Sequence, residues 1–170
     1  VAAASVAAVR QQLDPILQLM ELAEDSETIL SCMVEPFLSY TAAIIAFVPR
    51  VDTVKALRAS GSHLDSEAVR EMSFDLNNSP GFTRALKEKV LVCVRVADDP
   101  IHEIIAQHLG ADEPGEVLVV PVVLGQRVVN LLCVQAIKGR SFDALARSYY
   151  TRLAGEAALA FARLIKQKKQ

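Results

Sequence analysis

The sequence predicts an α+β domain: a central antiparallel sheet of five to six strands, with the N- and C-terminal helices packed on one face. Three observations predict it. Glu116–Ala136 reads EVLVVPVVLGQRVVNLLCVQA, two Val- and Leu-rich runs around Leu124-Gly125-Gln126, the pattern of an antiparallel hairpin. A second local pair, Thr41–Val48 and Val51–Ala59, flanks Pro49-Arg50-Val51-Asp52. Helical spacing of apolar residues occurs at both ends of the chain. Strands that pair locally, with helices before and after them, give an antiparallel sheet covered by helices.

The first helix carries Val6, Val9, Leu13, Ile16, Met20 and Ala23 three and four residues apart. That spacing is an a/d seam, which serves either a helix that covers its own sheet or one that dimerises. Asp14-Pro15 is a cap and first-turn pair that restarts or kinks the helix. Asp25-Ser26 caps the next helix, whose apolar face is Ile29, Leu30, Met33, Val34, Phe37 and Leu38, with a kink at Pro36. The strand pair follows and closes at Ser60-Gly61-Ser62.

Residues 60–80 are the least regular part. Asp65 caps a short helix over Ser66–Met72, and Ser73–Leu76 is a short strand. Asn77-Asn78-Ser79-Pro80 turns the chain and caps a helix over Pro80–Lys89. Val90–Val96 is a strand with valines on one face and Leu91, Cys93 and Arg95 on the other. Asp99-Pro100 caps a helix through Leu109, and Gly110 stops it. After the hairpin, Phe142 opens the last helix, whose apolar stripe is Phe142, Ala146, Tyr149, Leu153, Ala157, Ala160 and Leu164. Asp143 in its first turn and Lys166, Lys168 and Lys169 at its end suit the helix dipole. Pro121 donates no ladder bond, so the first hairpin strand has an edge or a bulge there. No internal repeat is visible.

The 170 residues fit one domain: an N-terminal helix or dimer seam over 1–24, a sheet and pocket core over 25–141, and a C-terminal helix over 142–170. Hydrophobic residues make up 52% and aromatic residues only 5%, an excess of Ala and Val that suits close packing. A net charge of −2 gives no electrostatic case for nucleic acid or an anionic membrane, and no apolar run is long enough to span a bilayer. The opening VAAASVAAV lacks an initiator Met and a basic stretch, which reads as a piece of a longer chain. Cys32, Cys93 and Cys133 are widely spaced in apolar segments, the pattern of buried reduced thiols in a cytoplasmic protein.

The order of elements resembles that of GAF domains, and five stretches carry the likeness from about Leu13 onward. Leu118-Val119-Val120-Pro121 resembles the family's apolar-apolar-Pro strand end. The strand after the short turn and Ser141-Phe142 resemble its following strand and the start of its last helix. TAAIIAFVPR and PGFTRALKEKVLVCVRV resemble its first strand and its helix-strand unit. Asn130 stands where many relatives have Gly. Counterparts of the NKxDE-type motif of cyclic-nucleotide-binding members and of the chromophore-linking Cys of phytochromes are missing, which disfavours those ligands. The resemblance implies a bacterial, cytoplasmic, non-catalytic sensory or regulatory module attached to an output domain.

The same resemblance implies a ligand site beside the irregular segment, where Phe74, Asn77, Phe82, Arg84, Arg95 and Asp98 would line a pocket. Arg95 either meets an anionic ligand or pairs with Asp98 or Asp99. A homodimer seam would use Val6, Val9, Leu13, Ile16, Met20, Tyr149 and Leu153. The alternative is a dimerisation or scaffold module whose pocket is filled by side chains. No cofactor is required. His102-Glu103 lacks a second His four residues on, since Ala106 stands there and His108 lies on another face, so no zinc pair forms. The three histidines read as solvated or capping residues. Cys93 and Cys133 lie on strands that could be neighbours, which makes a redox pair conceivable, but thiols inside strands behave as small hydrophobes.

Overall fold

The structure, a computed structural model, describes residues 6–37, 41–61, 66–108, 115–137 and 139–169, and of residues 6–9 and 66 only the backbone. Its elements are α1 (Val6–Leu22), α2 (Ser26–Val34), β1 (Thr41–Pro49), β2 (Thr53–Gly61), α3 (Ser66–Arg70), β3 (Ser73–Asp75), α4 (Pro80–Glu88), β4 (Val92–Arg95), α5 (Pro100–His108), β5 (Glu116–Leu124), β6 (Arg127–Ala136) and α6 (Ala144–Lys168). The six strands make one antiparallel sheet in the order β3-β2-β1-β6-β5-β4. Both hairpins therefore form as expected, and β1 joins them by pairing with β6.

The alternating strand pattern divides the core into two. On one face Ile44, Ala46, Leu118, Val120, Val122, Leu132 and Val134 meet α1, α2 and α6. On the other, Ile45, Phe47, Val117, Val119, Leu131 and Cys133 meet α3, α4 and α5. A one-residue slip of any central strand would exchange these two sets, so both cores hold the register. Pro121 sits where β5 has run past its β4 partner, which pairs only through Val119, and a bulge follows between Val122 and Val123. Its missing N–H thus faces no strand. Asn130, opposite Val122 at that bulge, is buried and donates through its side-chain amide to the Phe47 carbonyl at 3.2 Å.

Pro15 does not break α1. The carbonyl it leaves unbonded belongs to Gln11, which is exposed, so water can take its place. By contrast α2 stops at Val34: Glu35 still holds helical angles, φ −81° and ψ −42°, but Pro36 has no N–H with which to continue the ladder. The observed β2 lies two residues later than expected, since Arg50, Val51 and Asp52 are all spent on the turn. Val90 and Leu91 do not join β4, and Val96 opens a 3-10 turn instead. Leu38, Asp65 and Gly110, and the side chains of Val6 and Val9, lie outside the described residues.

The remaining seam residues are buried in this chain's own core. Leu13, Met20, Tyr149 and Leu153 are each at most 3% exposed, and Ile16 is half-buried against the same cluster. This corrects the dimer-seam expectation: the a/d spacing of α1 is used against α6 and α2 within one chain. Polar ties fix the arrangement. Arg163 of α6 donates to the carbonyls of Met20, Glu21 and Ala23, at and just past the end of α1. Tyr150, fully buried, donates its hydroxyl to the Pro36 carbonyl at 2.9 Å and also lies 2.9 Å from the Thr41 hydroxyl. One α6 side chain thus anchors the link between α2 and β1.

Candidate functional site

Two helix starts on the α3–α5 face are built alike. In each, a short strand runs into a 3-10 turn, a capping residue and a proline, as β3, Leu76–Asn78, Ser79 and Pro80, and again as β4, Val96–Asp98, Asp99 and Pro100. The reading that the chain holds no internal repeat missed this, because only the cap and the proline recur in sequence. Both starts converge on the Asp99 carboxylate, which is fully buried. One oxygen accepts from the Ser79 hydroxyl at 2.8 Å and the Gly81 N–H at 2.9 Å; the other accepts from the N–H groups of Ile101 and His102 at 3.1 and 3.3 Å. One carboxylate therefore caps α4 and α5 together.

His102 points inward from this cap. It is 1% exposed, with Nδ1 3.6 Å from Cys133 Sγ, Nε2 3.8 Å from Asp99 Oδ2, and its ring 4.8 Å from that of Phe82. This corrects the expectation of solvated histidines, for which His108 at the exposed end of α5 still qualifies, while His63 lies outside the described residues. The signal was present: Ile101, His102, Ile105 and Ala106 form one helical stripe. Burial holds the His102 pKa down at about 4 against the opposing pull of Asp99. Nδ1 and the Cys133 thiol are thus within hydrogen-bond reach, while Nε2 finds no hydrogen-bond partner in the protein. Gly81 makes room for the ring, since a Cβ there would lie 2.8 Å from Val94 Cγ2 and 3.2 Å from His102 Nε2.

The thiols do not meet. Cys93 pairs with Leu118 and Cys133 with Val119 from either side of β5, and they face opposite cores. The redox pair is thereby ruled out on geometry. Burial pushes the Cys133 thiol up, with Asp99 adding to it. Cys93 is pushed up to about 12 by burial and by its hydrogen bond to Glu116. Neither is a thiolate at neutral pH. Among the described residues no group of His, Cys, Asp and Glu side chains could hold a metal ion.

The six residues expected to line a pocket do not converge on one. Phe82 is fully buried and Phe74 half-buried, both stacked about Phe47 with ring centroids 5.2 and 6.4 Å away. They fill the space rather than line it. Asn77 is exposed, its N–H bonded to Asp75. Arg84 pairs with Glu88 at 3.1 Å and Arg95 with Asp98 at 3.3 Å, all on the surface, so the plain ion-pair reading of Arg95 holds.

On the same face Gln135 is buried, and neither atom of its amide finds a hydrogen-bond partner in the protein. Leaving such groups unsatisfied costs roughly 1–3 kcal/mol. Gln135→Met, which keeps the shape, is expected to raise stability by about 1–2 kcal/mol in urea titration; a loss would mean that the amide has a partner in solution.

A cavity of about 760 Å³ does occur, at the outer edge of β2. Glu27, Ser31 and Val34 of α2 and Glu35 just past its end wall one side, Val69 and Arg70 of α3 the other, and Leu57–Gly61 form its floor. Arg58 reaches across to the Ser31 hydroxyl and to Glu27 Oε2, the latter at 3.2 Å. Neither Arg58 nor Ser31 was singled out from sequence, because each is an ordinary polar residue until α2 is laid beside β2.

A family model described as "GAF domain" matches residues 21–162. Curated protein sequences give no match. Among solved structures, the GAF domain from an Acinetobacter phosphoenolpyruvate-protein phosphotransferase is 17% identical, with a TM-score of 0.70 over 94% of this chain and 95% of that one. A free methionine-R-sulfoxide reductase from Neisseria meningitidis, solved with its substrate, is also 17% identical, with a TM-score of 0.72 over 98% and 96%. The phycoerythrobilin-bound GAF domain of a cyanobacterial phytochrome is 13% identical, with a TM-score of 0.71 over 93% and 98%. With six antiparallel strands between two helical layers and a family match over most of its length, the chain belongs to the GAF domain family.

Proposed function

We propose that this chain is a non-catalytic regulatory module of a larger signalling protein, in which occupancy of a surface site shifts the terminal helices. The position of α2 carries this reading. One face of α2 walls the cavity through Glu27, Ser31 and Val34, with Glu35 just past its end. Its other face, with Ile29, Leu30 and Met33, is buried with α1 and α6. A ligand that moves α2 must therefore repack α1 and α6, and it does so only as far as it prefers one packing over the other. The buried, protonated thiols support a regulatory role over redox catalysis. Three free cysteines fit the cytoplasmic setting expected from the sequence, and several similar structures come from bacteria. An output domain joined to α1 or α6 would receive the shift.

Arg58→Ala tests the coupling without any ligand, because Arg58 ties α2 to β2 and touches neither terminal helix. Hydrogen exchange is expected to speed up several-fold in the amides of α1 and α6 as well as α2. Unchanged exchange in α1 and α6 would overturn the reading.

A homodimer through the terminal helices belongs to the same proposal, and the filled pocket region keeps the scaffold alternative in play. The exposed leucines support it on a different face from the expected seam: Leu22 is 77%, Leu159 66% and Leu19 51% exposed. Arg163 ties the end of α1 to this stretch of α6. Leu22→Glu with Leu159→Glu is expected to convert a dimer into a monomer in sizing with light scattering; a wild-type monomer would remove the dimer.

A further inference from the structure

The cavity beside β2 has a floor of unusual kind. The ladder between β2 and β3 covers only Thr53, Val54 and Lys55, and the Ala56 N–H goes to the Met72 carbonyl at 3.0 Å. Beyond that point, from Leu57 to Gly61, no strand pairs the outer edge of β2 among the described residues. An unpaired strand edge is a template for another strand. Here it is recessed between α2 and α3, not open to any passing chain.

We propose that this edge takes a short free peptide as an added antiparallel strand, with its N-terminal ammonium at Glu35 and its C-terminal carboxylate at Arg70. The charges argue for the ligand class. The lining holds two acids, Glu27 and Glu35, and two arginines, Arg58 and Arg70. Glu27 and Arg58 satisfy each other at 3.2 Å. Glu35 and Arg70 remain, one of each sign, so the complement is a zwitterion.

Their placement gives the direction. Arg70 is two residues from Met72, whose carbonyl bonds Ala56, so it lies at the Leu57 end. Glu35 precedes Pro36, whose carbonyl is tied through Tyr150 to Thr41, and β1 pairs its Ala43 with Gly61, so Glu35 lies at the Gly61 end. A peptide entering ammonium-first at Gly61 runs against β2, the antiparallel sense. Its length follows too. Leu57 to Gly61 spans about 13 Å at roughly 3.3 Å per residue, and Glu27 to Glu35 rises about 12 Å along α2, so four or five residues fill the groove. Affinity comes from main-chain hydrogen bonds, with Val34, Leu57, Ala59 and Val69 meeting alternate side chains.

The test is amide chemical-shift mapping of the domain with an equimolar library of free pentapeptides of Ala, Val, Leu and Thr. Shifts concentrated in Leu57–Gly61 and α2 are expected. Acetylating and amidating the peptide ends should weaken binding at least tenfold, as should Arg70→Glu, whereas Arg84→Glu, on α4, should not. Alternate N-methylation should abolish binding. No shifts at millimolar peptide, shifts away from the β2 edge, or equal binding of the N-methylated library would overturn the proposal. The inference rests on the α2 reading only for its consequence: binding at the edge with unchanged exchange in α1 and α6 upholds the site and overturns the coupling.

Discussion

Replacing Asp99 by alanine is expected to destabilise the domain by about 4 kcal/mol. Four donors lose their acceptor at once: the Ser79 hydroxyl and the N–H groups of Gly81, Ile101 and His102. A lost cap alone costs roughly 0.5–2 kcal/mol, and each buried donor left unbonded costs roughly 1–3 kcal/mol. Because these groups lie under α4 and α5 and the carboxylate is fully buried, water cannot replace it without opening that face. Asp99→Asn keeps the volume and one acceptor oxygen, so about half the loss is expected. Ser79→Ala removes one donor and the cap on Phe82, and about 1 kcal/mol is expected. Urea midpoints at pH 7 order the three variants. If Asp99→Ala falls no further than Ser79→Ala, the carboxylate does not join the two helices in solution.

Local chemistry was legible in the sequence, and long-range assembly was not. Ser79-Pro80 and Asp99-Pro100 announce helix starts because the cap and the proline act within one turn. The hairpin around Gly125 is legible for the same reason, and Gly125 indeed takes a positive φ of 64°. That one carboxylate serves both helix starts is not legible, because it needs α4 and α5 to be laid side by side by the sheet. The fate of the α1 stripe was open on spacing alone. An a/d seam looks the same whether its partner is another copy or α6 of the same chain, and Arg163, which ties the two helices, is far away in sequence. The pocket residues failed for a related reason. The irregular segment suggested a binding loop, but Phe74 and Phe82 close on Phe47 and occupy the volume. The cavity that does exist depends on where β3 stops pairing with β2, a difference of a few residues that strand propensity does not resolve.

Acid is expected to weaken the fold through His102 by about 3 kcal/mol between pH 6.5 and pH 4. The unfolded chain binds this proton with the ordinary pKa of 6.5, whereas the folded chain takes it up only near 4. That difference, at about 1.4 kcal/mol per pH decade, sets the magnitude. The sign follows from which state holds more protons. Above 6.5 both are neutral and the contribution is intact; between 6.5 and 4 the unfolded chain is protonated and the folded one is not, so stability falls as pH falls; below about 4 this group adds no further slope. The cause is burial against Phe82 and Cys133, with Asp99 pulling the other way. Asp99 does not win because its oxygens are already held by four donors and stand 3.8 Å from Nε2, beyond hydrogen-bond reach. His102→Leu removes the titration while keeping the apolar contact. Urea unfolding of wild type and variant at pH 7 and pH 4 isolates the effect, since every other titrating group is common to both. The variant should lose about 3 kcal/mol less than wild type across that interval. Equal losses would mean that His102 takes up its proton in the folded state as readily as in water, and the buried neutral ring beneath α5 would have to be abandoned.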